Sequence, residues 1–139
     1  MALCVAAAAH AESAKVIKVL PHFLDEKGRH TLHPSLYERD AYQEQLRGKP
    51  EKRTALRFDI QWKAHGPESL KLRLEAKGGQ GHKPSLITLE KEVSPGIFSR
   101  WTGLILAGDA YKDFGELISW RATLWSGTNQ VAEQKSFLW

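Results

Sequence analysis

Cysteine is almost absent from this chain of 139 residues, which contains only Cys4. A disulfide scaffold needs paired cysteines and thiol catalysis needs a reactive one, so neither is expected in the remainder of the chain. No apolar run reaches the roughly 20 residues with which a helix crosses a bilayer. Like charges never occur five in a row, and the net charge is only +4. We therefore expect a globular domain with a mixed-charge surface, no nucleic-acid partner and no membrane span in the mature chain.

The usual motifs of catalysis and phosphate binding are also missing. Gly-x-Ser-x-Gly does not occur, and the glycine-rich stretch 78–81 lacks the Lys-Ser/Thr ending of a phosphate-binding loop. The closest histidines are His22, His30 and His33; His30 and His33 have a His-x-x-His spacing but lie in a loop bounded by Gly and Pro, and no Asp or Glu closely neighbours this pair. A transition-metal site is built from such clusters of His, Cys, Asp and Glu, so we expect none here. The sequence predicts no catalytic residue, no cofactor and no metal.

A single helix of about residues 36–46 is predicted from its boundary signals. Ser35 and Glu38 have the spacing of a capping box, and Pro34 disfavours helix in the residue before it. Gly48 and Pro50 mark the end. The capping role of Glu38 leaves no obvious pair of carboxylates for glycosidase chemistry.

The N-terminal region has two features of a secretory signal. Residues 2–9 are apolar, and Ala9-His10-Ala11 has the small-x-small form that signal peptidase recognises. No Lys or Arg precedes the apolar run, a gap that a start codon upstream of Met1 would explain. We interpret residues 1–11 as a signal peptide and expect a periplasmic or secreted protein; the alternative is a disordered Ala-rich tail.

Alternation of apolar and polar residues predicts seven strands in one domain of residues 12–139. Pro21 is expected to end the first strand, and residues 77–84 are expected to form a flexible loop. The predicted strands are 15–20, 53–64, 69–77, 85–93, 98–107, 116–126 and 131–139.

One face of these strands is expected to form the core. Replacing one of its large members, as in Trp120→Ala, is expected to cost about 3–5 kcal/mol of stability. The predicted core residues are Phe58, Ile60, Trp62, Leu72, Leu74, Trp101, Ile105, Trp120, Ala122 and Leu124.

Residues 53–139 resemble fibronectin type III and related immunoglobulin-like domains. The resemblance rests on strand 59–64, which carries Trp62 and is followed by a turn at Gly66-Pro67, and on Tyr111 before the sixth strand. It implies an all-β fold, a seven-stranded antiparallel immunoglobulin-like β-sandwich, from which the inserted helix departs. The chain also resembles uncharacterised exported bacterial proteins.

Two sheet topologies are compatible with the strand pattern. A meander would pair strand 55–64 with strand 69–77 directly. An immunoglobulin-like topology instead sends them to opposite sheets, pairs 69–77 with 116–126, and makes 15–20 and 85–93 edge strands. We favour the second, because both strands have strongly apolar inward faces.

Five tryptophans are many for a domain of this size, and Trp125 is out of phase with the apolar face of its strand. An exposed tryptophan can stack on a sugar or contact a protein, so Trp125, together with Tyr111, is the candidate contact residue. We expect a non-enzymatic β-sandwich for protein binding or envelope assembly, with an envelope protein or a glycan as partner. A carbohydrate-binding module and a small hydrolase are the alternatives.

Overall fold

The computed structural model describes residues 14–139, so the predicted signal peptide lies outside the described residues. The strands alternate with tight turns and two short helices, α1 (Leu36–Gly48) and α2 (Gly108–Phe114). Pro50–Lys52 forms one turn of 3-10 helix. The strands are β1 (Lys15–Leu24), β2 (Ala55–Lys63), β3 (Leu70–Gln80), β4 (Lys83–Val93), β5 (Arg100–Ala107), β6 (Glu116–Ser126) and β7 (Asn129–Lys135).

Two antiparallel sheets pack face to face, in strand orders β1-β2-β5 and β4-β3-β6-β7. The chain crosses from one sheet to the other between β2 and β3, so the predicted crossover is confirmed and the meander is wrong. β3 pairs with β6, with Leu74 opposite Ala122. The prediction of an all-β sandwich of seven strands with one short inserted helix is confirmed.

The core lies between the sheets and follows the alternation of β2, β3 and β6. Phe58, Ile60, Leu72 and Leu74 are completely buried. Trp62 is 1% exposed, and its indole N–H donates to the Thr102 hydroxyl at 2.9 Å. Such strands bury one face because successive side chains point to opposite sides.

Two predicted core residues were assigned to the wrong face: Trp101 and Ile105 are each 52% exposed. Both faces of β5 are apolar, so alternation alone does not identify the inward one. Pairing with β2 decides it by placing Leu104 opposite the buried Phe58. Trp120 is half-buried against the core.

Strict alternation along β6 would place Ile118 on the same face as Trp120, but Ile118 is 54% exposed. A bulge between β3 and β6 explains this, because the pairing shifts from Lys77 opposite Ser119 to Gly78 opposite Leu117. An extra residue in one strand reverses the facing of those beyond it.

Three predicted boundaries were wrong. β1 continues past Pro21 to Leu24, since an edge strand tolerates the missing donor of a proline. The expected loop at 77–84 is a tight turn in which Gly81 has a φ of 65°. The last strand ends at Lys135 and not at residue 139.

The helix α1 starts as predicted, with the Ser35 hydroxyl accepting from the Glu38 amide at 3.2 Å. It packs through Gln43 and Leu46, whereas Tyr37 is 81% exposed. Neither this helix nor any other in residues 14–139 has the length and apolar character that crossing a membrane requires.

Candidate functional site

The predicted contact residue Trp125 lies on the outer face of the four-stranded sheet, as its phase indicated, but it is half-buried. The guanidinium of Arg73 lies 4.7 Å from the centre of its ring. Its indole N–H donates to the hydroxyl of Thr123 at 2.8 Å. The ring and its polar atom are therefore both engaged within the molecule.

The rest of this outer face is paired in the same way. Arg121 binds Glu75 at 2.8 Å, and the ammonium of Lys77 lies 4.1 Å from the centre of the Trp139 ring. Cations over aromatic rings and cross-strand ion pairs each stabilise a face modestly. These charged and aromatic groups are thus satisfied by one another, whereas Leu86 and Ile118 of the same sheet are 61% and 54% exposed.

Tyr111, the second predicted contact residue, lies in α2 and is half-buried against the core. Burial raises the pKa of its hydroxyl, and the nearby Arg53 partly offsets this. Trp125 and Tyr111 lie on different elements, and no contact joins them.

The four edge strands differ in how readily each could pair with another chain. β1 and β4 are edge strands as predicted, and β5 and β7 are the other two. The edge of β1 contains Pro21 and is capped by α1 at one residue: the Phe23 N–H donates to the Gln43 side-chain oxygen at 2.8 Å, and the Gln43 amide donates to the Phe23 carbonyl at 2.9 Å. Gln43 therefore takes the place of a neighbouring strand at this point.

The edges of the four-stranded sheet carry features that oppose pairing with another chain. β4 contains Pro84 near its start and the charged run Glu90-Lys91-Glu92 near its end. β7 is only seven residues long and includes Glu133 and Lys135. Proline, charges and short length are all established ways of blocking an edge.

The remaining edge, that of β5, has fewer of these features. The strand is eight residues long and begins with Arg100, but from Trp101 to Ala107 it has no charge and no proline. It pairs with β2 on one side and with no strand of residues 14–139 on the other. Free backbone donors and acceptors on a flat apolar edge form a template for a further strand.

Large apolar side chains surround this open edge. Ile97 is 82% exposed and Phe98 81%, in the loop just before β5, and Trp101 and Ile105 are each half-exposed along the strand. We call these four residues, Ile97, Phe98, Trp101 and Ile105, the β5 edge surface. An exposed apolar cluster on a small domain commonly marks an interaction site.

A cavity of about 260 Å³, widely open to solvent, lies between β4 and β5, next to this surface. Trp62, Val93 and Trp101 form its apolar part. Lys91 and Arg100 also line it, and no carboxylate does. The cavity therefore joins an aromatic wall to two positive charges.

A polar cluster lies on the outer face of the three-stranded sheet. His22 Nδ1 is 2.8 Å from Asp59, Arg57 is 2.9 Å from the same carboxylate, and the His30 ring stacks 5.1 Å from that of His22. Burial alone would raise the pKa of Asp59, but the His22 hydrogen bond and the Arg57 charge outweigh it and lower that pKa. Burial and Arg57 lower the pKa of His30.

This cluster resembles the base and its orienting acid in a hydrolase, but it is incomplete. In the part of the chain from residue 14 onward, no hydroxyl or thiol forms a hydrogen bond with His22. Nucleophilic catalysis needs that contact. Nor do residues 14–139 contain a group of three or more His, Cys, Asp or Glu side chains that could hold a metal ion.

The sequence pattern did not point to these features. His22 and Asp59 are 37 positions apart, and their meeting follows from the pairing of β1 with β2. Arg100 and Lys91 meet through the packing of two sheets, which no local spacing records. The one usable signal was the uncharged stretch 101–107.

Comparison with known proteins gave no family, no curated relative and no solved structure similar to this chain.

Proposed function

We propose that this protein is a non-enzymatic binding domain, exported from the cell, that recognises another protein through the β5 edge surface. The open edge of β5 is the observation that carries the proposal. No strand of residues 14–139 pairs with this edge, and apolar side chains are exposed beside it. By contrast, β4 and β7 carry proline or charges, and β1 contains Pro21 and is capped at Phe23. The apolar run at residues 2–9 and Ala9-His10-Ala11 support export, and an envelope protein is the partner we expect.

The strand orders β1-β2-β5 and β4-β3-β6-β7 support the finer assignment to the fibronectin type III-like kind of immunoglobulin-like sandwich. Domains of this architecture are widely used for recognition at cell surfaces. Fold alone does not assign a function, so the proposal rests on the β5 edge surface.

The proposal is tested by placing a photo-crosslinking phenylalanine analogue at position 105 and, as a control, at position 118. Ile105 and Ile118 are both isoleucines, 52% and 54% exposed, on opposite sheets. In cells that make the protein, we expect one identified protein to crosslink from position 105 and not from position 118.

The crosslinked protein is then purified and its affinity measured by calorimetry. We expect Ile105→Lys to weaken binding at least tenfold and Ile118→Lys to leave it unchanged, because a charge at 105 blocks the edge. Equal crosslinking from both positions, or equal loss of affinity, would contradict the proposal. Binding to a polysaccharide that Trp101→Ala abolishes, without a protein partner, would favour the carbohydrate-binding alternative.

A further inference from the structure

Arg100 differs from the other arginines of residues 14–139 in having no acidic partner. The remaining ones form ion pairs with Asp or Glu, including Arg73 with Glu90 at 2.6 Å and Arg121 with Glu75 at 2.8 Å. Arg100 lies at the start of the one open edge and lines the cavity between β4 and β5. The one arginine of residues 14–139 without an ion pair thus lies beside the candidate binding surface, although the lysines of these residues form no ion pair either.

The side chain of Arg100 lies against the backbone of the loop before β5. A Cβ built on Gly96 would lie 2.6 Å from its Nη2 and 2.7 Å from its Nε. Arg100 is exposed, so a side chain at position 96 would push its flexible end aside. Replacing Gly96 therefore moves the guanidinium without changing the net charge.

Lys91 provides a second positive charge in the same cavity. It belongs to the inward-facing set of β4, opposite Leu72, but sits where the sheets part between β4 and β5. Like Arg100, it forms no ion pair with a carboxylate in the described part of the chain. Two cations beside an apolar wall suit an acidic side chain better than a neutral one.

From these observations we infer that the partner segment which adds to β5 is extended and acidic, and that one of its carboxylates enters the cavity between Lys91 and Arg100. The inference rests on the proposed function and names the chemistry of the partner at that same surface. The open backbone edge would hold the extended segment, and the β5 edge surface would contact its alternate side chains.

A second copy of this chain fits the charges less well. β5 itself contains no carboxylate and begins with Arg100, so strand-to-strand pairing of two copies brings no acidic side chain from either β5. A free inorganic anion would use the two charges but not the apolar surface. An acidic segment of another protein satisfies both.

The experiment selects nine-residue peptides that bind the purified protein from a phage-displayed random library. We expect enrichment of Asp or Glu among β-forming residues, and chemical-shift changes of backbone amides along β5 on binding. For a selected peptide, changing its Glu to Gln, or the protein's Arg100 to Gln, should weaken binding by about tenfold or more.

Two variants separate charge from geometry. Gly96→Ala keeps the net charge but displaces the Arg100 side chain, and it should weaken binding of the acidic peptide severalfold. Lys135→Glu changes charge on the distant β7 and should leave binding unchanged. Inorganic phosphate that displaces the peptide at equal concentration would show a plain anion site and overturn the inference.

The outcomes also distinguish the inference from the proposed function. Peptides whose binding depends on Ile105, but which show neither acidic enrichment nor dependence on Arg100, would refute the acidic partner. That outcome would leave the proposed binding at the β5 edge surface unaffected. Failure to select any peptide, or dimerisation through β5 in sedimentation, would overturn the inference. Crosslinking at position 105 tests separately whether the β5 edge surface binds a protein.

Discussion

Two tryptophans of this protein, Trp62 and Trp101, differ in their exposure and in their role. Trp62 is buried and hydrogen-bonded, whereas Trp101 is half-exposed at an open edge. The buried ring of Trp62 contributes to packing of the core, whereas half of the Trp101 ring remains accessible to solvent.

We therefore expect Trp62→Ala to lower the free energy of unfolding by about 3–5 kcal/mol, because it leaves a cavity in the core. Trp101→Ala, the matched control, should lower it by only about 0.5 kcal/mol, as surface changes do. Urea unfolding of both variants measures the difference. Equal losses would mean that Trp101 packs into the core after all.

Asp25 holds the turn between β1 and α1. Burial, the largest single effect, would raise the pKa of its carboxyl. Hydrogen bonds from the Tyr42 hydroxyl and from the backbone N–H groups of Arg29 and Lys27 outweigh burial and lower the pKa from 3.8 to about 2. Because the folded pKa lies below the unfolded one, this stabilisation is complete above about pH 4 and is lost as the pH falls toward 2.

Tyr42→Phe should raise the pKa of Asp25, because it removes the donated hydroxyl hydrogen bond. Acid unfolding should then begin at a higher pH. Carbon NMR of the Asp25 carboxyl during a pH titration gives the pKa directly. Tyr37→Phe is the control, since Tyr37 is 81% exposed, and a similar shift in that variant would count against the assigned hydrogen bond.

At the scale of elements, α1 protects an edge of the sheet. The Gln43 amide donates to the carbonyls of Phe23 and His30, and its oxygen accepts from the Phe23 N–H. A helix that lies beside an edge strand can thus supply the hydrogen bonds of a missing neighbour through one side chain.

Gln43→Leu should lower the free energy of unfolding by about 1–3 kcal/mol, because it leaves partly buried backbone groups without partners. Hydrogen exchange at the Phe23 amide should accelerate. Gln134→Leu on the exposed β7 is the control and should change stability by no more than about 0.5 kcal/mol. Unchanged exchange at Phe23 would show that Gln43 does not protect this edge.

The buried face of a strand was predictable from the sequence where the local pattern decides it. It was not predictable where the pairing of strands decides it. Phe58 and Trp62 were placed correctly because β2 has only one apolar face. Trp101 and Ile105 were not, because β5 is apolar on both. The bulge that turns Ile118 outward depends on the register of β6 against β3, which no single strand specifies.

The candidate site was hardest to predict because it depends on what is absent around β5. The sequence shows which residues form a strand, but the sheet topology decides which strands lie beside it. The covering of β1 by Gln43 and the unpaired state of Arg100 emerge only when distant segments are brought together. Trp125 looked available in sequence because its partner Arg73 is 52 positions away.

For the whole molecule, the two sides of the sandwich are unequal. β1 and β7 lie alongside each other on one side, and β4 and β5 flank the cavity on the other. Paired charges lie on the outer faces of both sheets, as in Arg57 with Asp59 and Arg121 with Glu75, whereas Arg100 at the open edge of the three-stranded sheet has no acidic partner.

The Gln43 cap and Pro21 on β1 also bear on how many strands the three-stranded sheet can gain. Both oppose the addition of a strand at β1, so the proposed site at β5 is the favoured place for one. A second copy joined at β5 would give a pair, because each copy would then have used its open edge. We therefore expect one-to-one complexes and no filaments.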